Sequence, residues 1–279
     1  MHTDKLFVVF GSDSRFEYTR EALKKSGHNT VDFREILKSD FSSLRDREKA
    51  LVLGLPFSRD LKSINLPELD YAITLSGVLS SLESGDLVFG GMLSNSFKEK
   101  VAGKSAVCFD YYDEELILQN AELTAISLLR FMEDEGIDAT ASKFALTGFG
   151  RTAKAISEAF SRNGYDFTVV ARSDSAESDA KSMNFKFVKL ESFTEKLHIF
   201  DVIINTVPAL IFDAQRLSAI KRGAPIIDIA SAPFGVEKSD ADEYGIRLIR
   251  APGLPGRYMP EEAGTLIAER IEYYLKGGR

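Results

Sequence analysis

The chain has 279 residues, 44% of them hydrophobic and 28% charged, with a formal net charge of −7. That is more chain than one domain of roughly 150 residues uses, so two domains with real cores are expected. The acidic balance leaves no basic field for nucleic acid or an anionic membrane surface, and no apolar run approaches the ~20 residues that span a bilayer. The opening stretch MHTDKLFVVFGSD has too short an apolar segment, closed off by Asp13, for a signal peptide. The single Cys108 has no disulfide partner and reads as a small buried apolar residue. A cytoplasmic setting is expected.

Short apolar runs alternate with polar or amphipathic stretches: LFVVFG, ALVLGLP, LVFGG and AVCFD, then FALTGFG, FTVVARS, FKFVKL, DVIINTVP, PIIDIAS and IRLIRAP. This alternation is the pattern of parallel α/β architecture, and strands apolar on both faces are those covered by helices on each side. After LFVVF come Asp13 and Arg15, where a strand end leads into a helix and an anion is favoured. Arg15 offers a planar fork to a substrate carboxylate, or else it pairs locally with Asp13. Gly91 and Ser94, following LVF, make a second candidate substrate loop. In DEELILQNAELTAISLLRFMEDEG, apolar residues recur at helical spacing and Gly136 supplies a stop, predicting one long crossing helix. Glu122 on it is a candidate general base, against the plainer reading of a solvated helical glutamate.

The expected organisation is an N-terminal α/β substrate or partner domain over 1–115, a crossing helix and linker over 116–139, and a Rossmann domain over 140–258. A C-terminal helix over 259–279 then returns to the first domain. The fold class is α/β with two domains: a C-terminal Rossmann doubly wound parallel sheet and a smaller N-terminal α/β domain, with a substrate cleft between them.

The strongest motif is the strand FALT running into Gly148-Phe149-Gly150-Arg151-Thr152-Ala153 and then a helix. This G-x-G-x-x-A turn in strand–turn–helix context predicts a dinucleotide site. Gly148 permits the tight turn, Gly150 lets a pyrophosphate approach the backbone, and Ala153 lets helix and strand pack closely. The strand FTVVA ends at Arg172 and Ser173, where NAD-specific domains place an acid. Arg172 is suited to a 2′-phosphate, so NADP is expected, while Asp174 close behind leaves NAD open. Asn205, Thr206, Val207 and Pro208 end another strand and are expected at the nicotinamide side, the alternative being a plain turn. Asp228 and Ser231 end the next. APGLPGRYMPEEAG is expected as a rigid loop whose Gly253, Leu254 and Gly256 line or close the cleft. No His, Cys and Asp cluster has metal-ligand spacing, so no metal is expected. His2, His28 and His198 include none in the late loop where a 2-hydroxy-acid dehydrogenase carries its catalytic histidine.

FALTGFGRTAKAI, VVARS, INTVP, DIASAPFG and above all APGLPGRYMPEEAG, in this order and with GSDSR and AELTA before them, resemble the dipicolinate synthase A-subunit family of spore-forming bacteria. The resemblance covers most of the chain and is looser in the N-terminal half. It implies an NADP-linked dehydrogenation of dihydrodipicolinate, a small dicarboxylate, carried out with the flavoprotein-like B-subunit of dipicolinate synthase. A homo-oligomer is also expected. The alternatives are an alanine- or shikimate-dehydrogenase-like oxidoreductase, or a dinucleotide-binding partner protein without chemistry of its own.

Overall fold

The computed structural model describes residues 5–11, 13–36, 44 and 47–278. The chain divides into two compact units, Met1–Gln119 with Met259–Arg279, and Asn120–Tyr258. With its C-terminal segment added, the first unit matches the second in length instead of being the smaller. The division falls inside one helix, α5 (Glu114–Asp134), rather than at residue 115 or 139. Its end is followed by Gly136 at φ +69°, a conformation that only glycine adopts without strain.

In the first unit, β1 (Leu6–Val9), β2 (Asn29–Asp32), β3 (Lys49–Val52), β4 (Leu87–Gly90) and β5 (Val107–Asp110) form a parallel sheet in the order β2-β1-β3-β4-β5. Between the strands run α1 (Ser14–Lys25), α2 (Phe33–Ile36), α3 (Leu75–Ser81) and α4 (Asn95–Ala102). Strand periodicity sends Val8, Leu51 and Val88 into one buried cluster and Phe7, Val9, Ala50 and Phe89 into another. The second cluster is closed by α1 through Phe16 and Leu23, and by α12 (Pro260–Leu275) through Ile267 and Ile271. At their contact, Thr19 Oγ1 donates to the Gly264 carbonyl at 3.0 Å. A Cβ on Gly264 would stand 2.2 Å from the Arg15 carbonyl oxygen, so glycine is required for this approach.

Strand β2 has no counterpart among the apolar runs. NTVD is a short edge strand, exposed at one end and only partly buried elsewhere, and so lacks the continuous apolar character that marks the others.

The second unit holds β6 (Lys143–Thr147), α6 (Arg151–Arg162), β7 (Asp166–Ala171), α7 (Asp174–Ser182), β8 (Lys186–Lys189), α8 (Phe193–Lys196), β9 (Val202–Asn205), α9 (Ala214–Ala219), β10 (Ile226–Asp228), α10 (Lys238–Glu243), β11 (Leu248–Arg250) and α11 (Leu254–Tyr258). The parallel sheet runs β8-β7-β6-β9-β10-β11, the doubly wound Rossmann order, and the strand order reverses between β6 and β9. Apolar clusters cover both faces. The stretch expected as a rigid loop is helical instead: Leu254 to Tyr258 form α11 and Pro260 opens α12. Proline at a first helical turn lacks only an N–H that would have no partner there, so Pro260 starts that helix without penalty.

Candidate functional site

At the reversal between β6 and β9 the chain leaves β6 through Gly148 at φ +91°. A Cβ there would lie 2.5 Å from Thr206 Oγ1 and 3.1 Å from Val207 Cγ2, so both conformation and space demand glycine. Gly150 differs. Its φ of −78° suits any residue, and a Cβ on it would meet nothing within 4 Å. Gly150 caps α6 without a side-chain hydrogen bond to the helix N-terminus, where the helix dipole favours an anion. Ala153 is fully buried in the core beneath. Phe149 anchors the turn edge-on to Phe185, with ring centroids 6.4 Å apart. Arg151 is exposed and Thr152 half-buried on the first turn of α6. These features fit a dinucleotide pyrophosphate: backbone donors, a favourable helix end and no side chain in the way.

A cavity of about 440 Å³ lies beside this turn, walled by Gly148, Gly150, Arg172, Ser173, Val207 and Ile211 among others. Arg172 is exposed just past the end of β7, and its guanidinium has no partner among the described residues. Ser173 caps α7, accepting from the Ala176 N–H at 3.2 Å. The Asp174 carboxylate is bound by Lys189, whose ammonium holds it below the usual carboxylate range. Ser175, Asp179, Leu190 and Ala209 also line the cavity, and no residue-type pattern in the sequence marks them.

Two residues expected to touch the cofactor are internal instead. Thr147, Asn205 and Asp228 lie side by side at the carboxyl ends of β6, β9 and β10, all fully buried. Thr147 Oγ1 donates to Asn205 Oδ1 at 2.6 Å, and Asn205 Nδ2 donates to Asp228 Oδ1 at 2.8 Å. The Asn205 amide also bonds Val207 N–H and C=O, leaving it no capacity for a ligand. Asp228 further accepts from Ala230 N–H and Gly235 N–H. This row fixes the loops at the sheet edge rather than binding nicotinamide. Thr206 donates to the Thr147 carbonyl at 2.8 Å and Val207 faces the cavity, while Pro208 and Ser231 are exposed.

The substrate candidates fare differently. Arg15 is largely buried, and Asp13 occupies its fork, with Nε 2.8 Å from Oδ1 and the second nitrogen 2.7 Å from Oδ2. Burial alone would lower the Arg15 pKa; the hydrogen bonds and charge of Asp13 more than offset this and raise it. Asp13 also caps α1. The local ion pair therefore takes the place of a substrate-carboxylate role. Gly91 is not a ligand loop either: its N–H and C=O bond Gly54 and Phe57, and a Cβ would stand 2.5 Å from Leu55 Cδ1 and 3.0 Å from Tyr111. Ser94 caps α4. Leu254 is buried in the core of the second unit, Gly256 sits within α11, and Gly253 is exposed at φ +70°. Glu122 is exposed to water on α5.

Of the histidines, His28 is buried in the first unit with Nε2 2.6 Å from Glu272, and His198 is exposed. His2 lies outside the described residues. No group of three His, Cys, Asp or Glu side chains among the described residues is set to hold a metal, and none of their helices is long and apolar enough to cross a membrane.

Residues 118–239 match the NAD binding domain of the D-isomer specific 2-hydroxyacid dehydrogenases. The chain is similar to the A-subunit of dipicolinate synthase from Bacillus subtilis, 27% identical over 240 aligned residues that cover 79% of this chain and 80% of that protein. Among solved structures, the dipicolinate synthase A-subunit of Bacillus halodurans matches with TM-score 0.81 at 20% identity over 99% of both chains. Its Bacillus subtilis counterpart matches with TM-score 0.77 at 20% identity, over 99% of this chain and 97% of that one. The sequence match to the hydroxyacid dehydrogenases thus lies almost wholly in the second unit.

Proposed function

We propose that this chain, an NAD(P)-dependent oxidoreductase, takes a hydride and a proton from dihydrodipicolinate to give dipicolinate, together with a flavoprotein-like second protein. The observation that carries this reading is the similarity to the dipicolinate synthase A-subunit, which extends over four-fifths of the chain. Gly148, Gly150 and the N-terminal end of α6 receive the pyrophosphate, while Arg172 with Ser173 receives a 2′-phosphate, so NADP is the preferred dinucleotide. Bound there, a nicotinamide ring supplies a hydride acceptor.

The substrate chemistry suits a site without a histidine base. One ring carbon of the dihydropyridine releases hydride with its bonding electrons, a neighbouring carbon releases a proton, and the ring becomes aromatic. Dihydrodipicolinate and NADP⁺ thus give dipicolinate, NADPH and one proton. A hydroxy-acid substrate would need a base on its hydroxyl, whereas aromatisation drives this proton loss directly.

The test supplies the dihydropyridine, generated in place, with NADP⁺ or NAD⁺ and with or without a candidate second protein. Dipicolinate formation together with cofactor reduction, faster with NADP⁺, is expected. Absence of dipicolinate in every combination would rule out this substrate and leave the dinucleotide unit standing.

A further inference from the structure

Helix α7 opens with two acids, Asp174 and Glu177, beside the cavity wall that carries Arg172. A free carboxylate at this position of a Rossmann unit accepts ribose hydroxyls and repels a 2′-phosphate. Neither acid is free. Lys189, the last residue of β8 and directly opposite Ala171 in the sheet, donates to Asp174 Oδ1 and lies 3.2 Å from Glu177 Oε2. Its ammonium is also 3.5 Å from the Arg172 carbonyl oxygen, so one side chain joins the end of β7 to the first turn of α7. Glu177 has a second partner in Lys181 at 2.7 Å, and Asp179, further along the cavity wall, pairs with Lys154 at 2.6 Å. Each of these carboxylates thus has a lysine, while the Arg172 guanidinium has no partner among the described residues. The charge left over at the rim is positive. The pKa shifts run the same way: the lysine contacts lower Asp174 and Glu177, and the contact with Asp174, supported by Glu177, raises Lys189.

We propose that Lys189 is a positioning residue for cofactor choice: by holding Asp174 and Glu177 it removes free carboxylate from the start of α7 and leaves Arg172 to receive a 2′-phosphate. This rests on the reading that the cavity takes the adenosine end of NADP(H). Lys189 acts through the two acids and touches no phosphate itself. The dinucleotide turn at Gly148 to Gly150 is untouched by it, so its effect belongs to the choice between the two cofactors rather than to dinucleotide binding as such.

The experiment measures, by calorimetry on the full chain, dissociation constants for adenosine 2′,5′-bisphosphate and for 5′-AMP, two probes that differ only at the 2′ position. The wild type is expected to favour the bisphosphate. Lys189→Met should reduce that preference about three- to tenfold, the effect of an uncompensated but solvent-screened Asp174 charge while Glu177 keeps Lys181, and Lys189→Arg should retain it. In an Asp174→Asn/Glu177→Gln background, Lys189→Met should change nothing further, a rescue that a direct phosphate contact or a merely structural lysine would not show. An unchanged preference in Lys189→Met overturns the inference, as does an equal loss in the neutral background. A wild type that shows no preference for the bisphosphate overturns the NADP reading itself, whereas a preferring wild type beside an unaffected Lys189→Met removes Lys189 alone.

Discussion

Gly148 and Gly150 stand two residues apart, yet their replacement should fail in different ways. At Gly150 the backbone suits any residue and a Cβ meets nothing within 4 Å, so Gly150→Val should cost the fold no more than about 1 kcal/mol, chiefly through a poorer helix cap. The new side chain would stand where a pyrophosphate approaches the backbone. Losing two charge-assisted hydrogen bonds at roughly 1.5–3 kcal/mol each weakens binding by about 10²- to 10⁴-fold. At Gly148, with φ +91° and Thr206 Oγ1 2.5 Å from where a Cβ would stand, alanine should cost about 1–2 kcal/mol for the left-handed backbone. Overpacking against Thr206 and Val207 adds roughly 1–3 kcal/mol. Thermal melts and NADP⁺ titration calorimetry on both variants separate the two effects. A folded Gly150→Val protein that binds NADP⁺ like the wild type would refute the assignment of this turn, and a Gly148→Ala protein that melts unchanged would refute the packing argument.

Asn205→Leu should lower the stability of the second unit by about 2–5 kcal/mol, because it strips partners from the buried Thr147 hydroxyl, the Asp228 carboxylate and the Val207 backbone; scanning calorimetry reads this as a drop in that unit's transition. Arg15→Ala should destabilise the first unit by about 1–3 kcal/mol while leaving NADP⁺ affinity and the Michaelis constant for the dicarboxylate near wild type, and a large selective rise in that constant would restore Arg15 to the substrate. Tyr274 donates to Asp113 Oδ2 at 2.7 Å, and burial first, then this bond, push its phenol up to about 12. Since that lies above the unfolded value of about 10, the contribution is complete below pH ~10 and is lost as pH rises toward 12. Melts across that range should therefore fall less steeply for Tyr274→Phe than for the wild type.

The glycine turn was legible because its signal is a conformation as well as a residue type: only glycine survives at Gly148, and the turn must stand between an apolar strand and a helix. The parallel sheets were legible for a similar reason, since strands buried on both faces are written as unbroken apolar runs. Edge strand β2, polar and half-exposed, carries no such mark. Asn205 and Asp228 looked like ligand contacts because polar residues at strand ends in α/β sheets often are, and only the hydrogen-bond partners reveal that both are saturated by the chain. The pairing of Arg15 with Asp13 was one of two readings open in the sequence, and the choice depended on where a flexible side chain comes to rest. Proline and glycine in APGLPGRYMP suggested a loop, but Pro255 and Gly256 lie within α11, where the buried Leu254 ties this segment to the core.

Hydride transfer from a dihydropyridine dicarboxylate to a nicotinamide dinucleotide is tested most directly by the ratio of NADPH formed to dipicolinate formed. Oxygen is excluded during the measurement so that the dihydropyridine cannot lose its electrons to air. One NADPH per dipicolinate in the wild type, with neither product above background in Gly150→Val, is the predicted result. Dipicolinate appearing without matching cofactor reduction, or at the same rate in Gly150→Val, would contradict it.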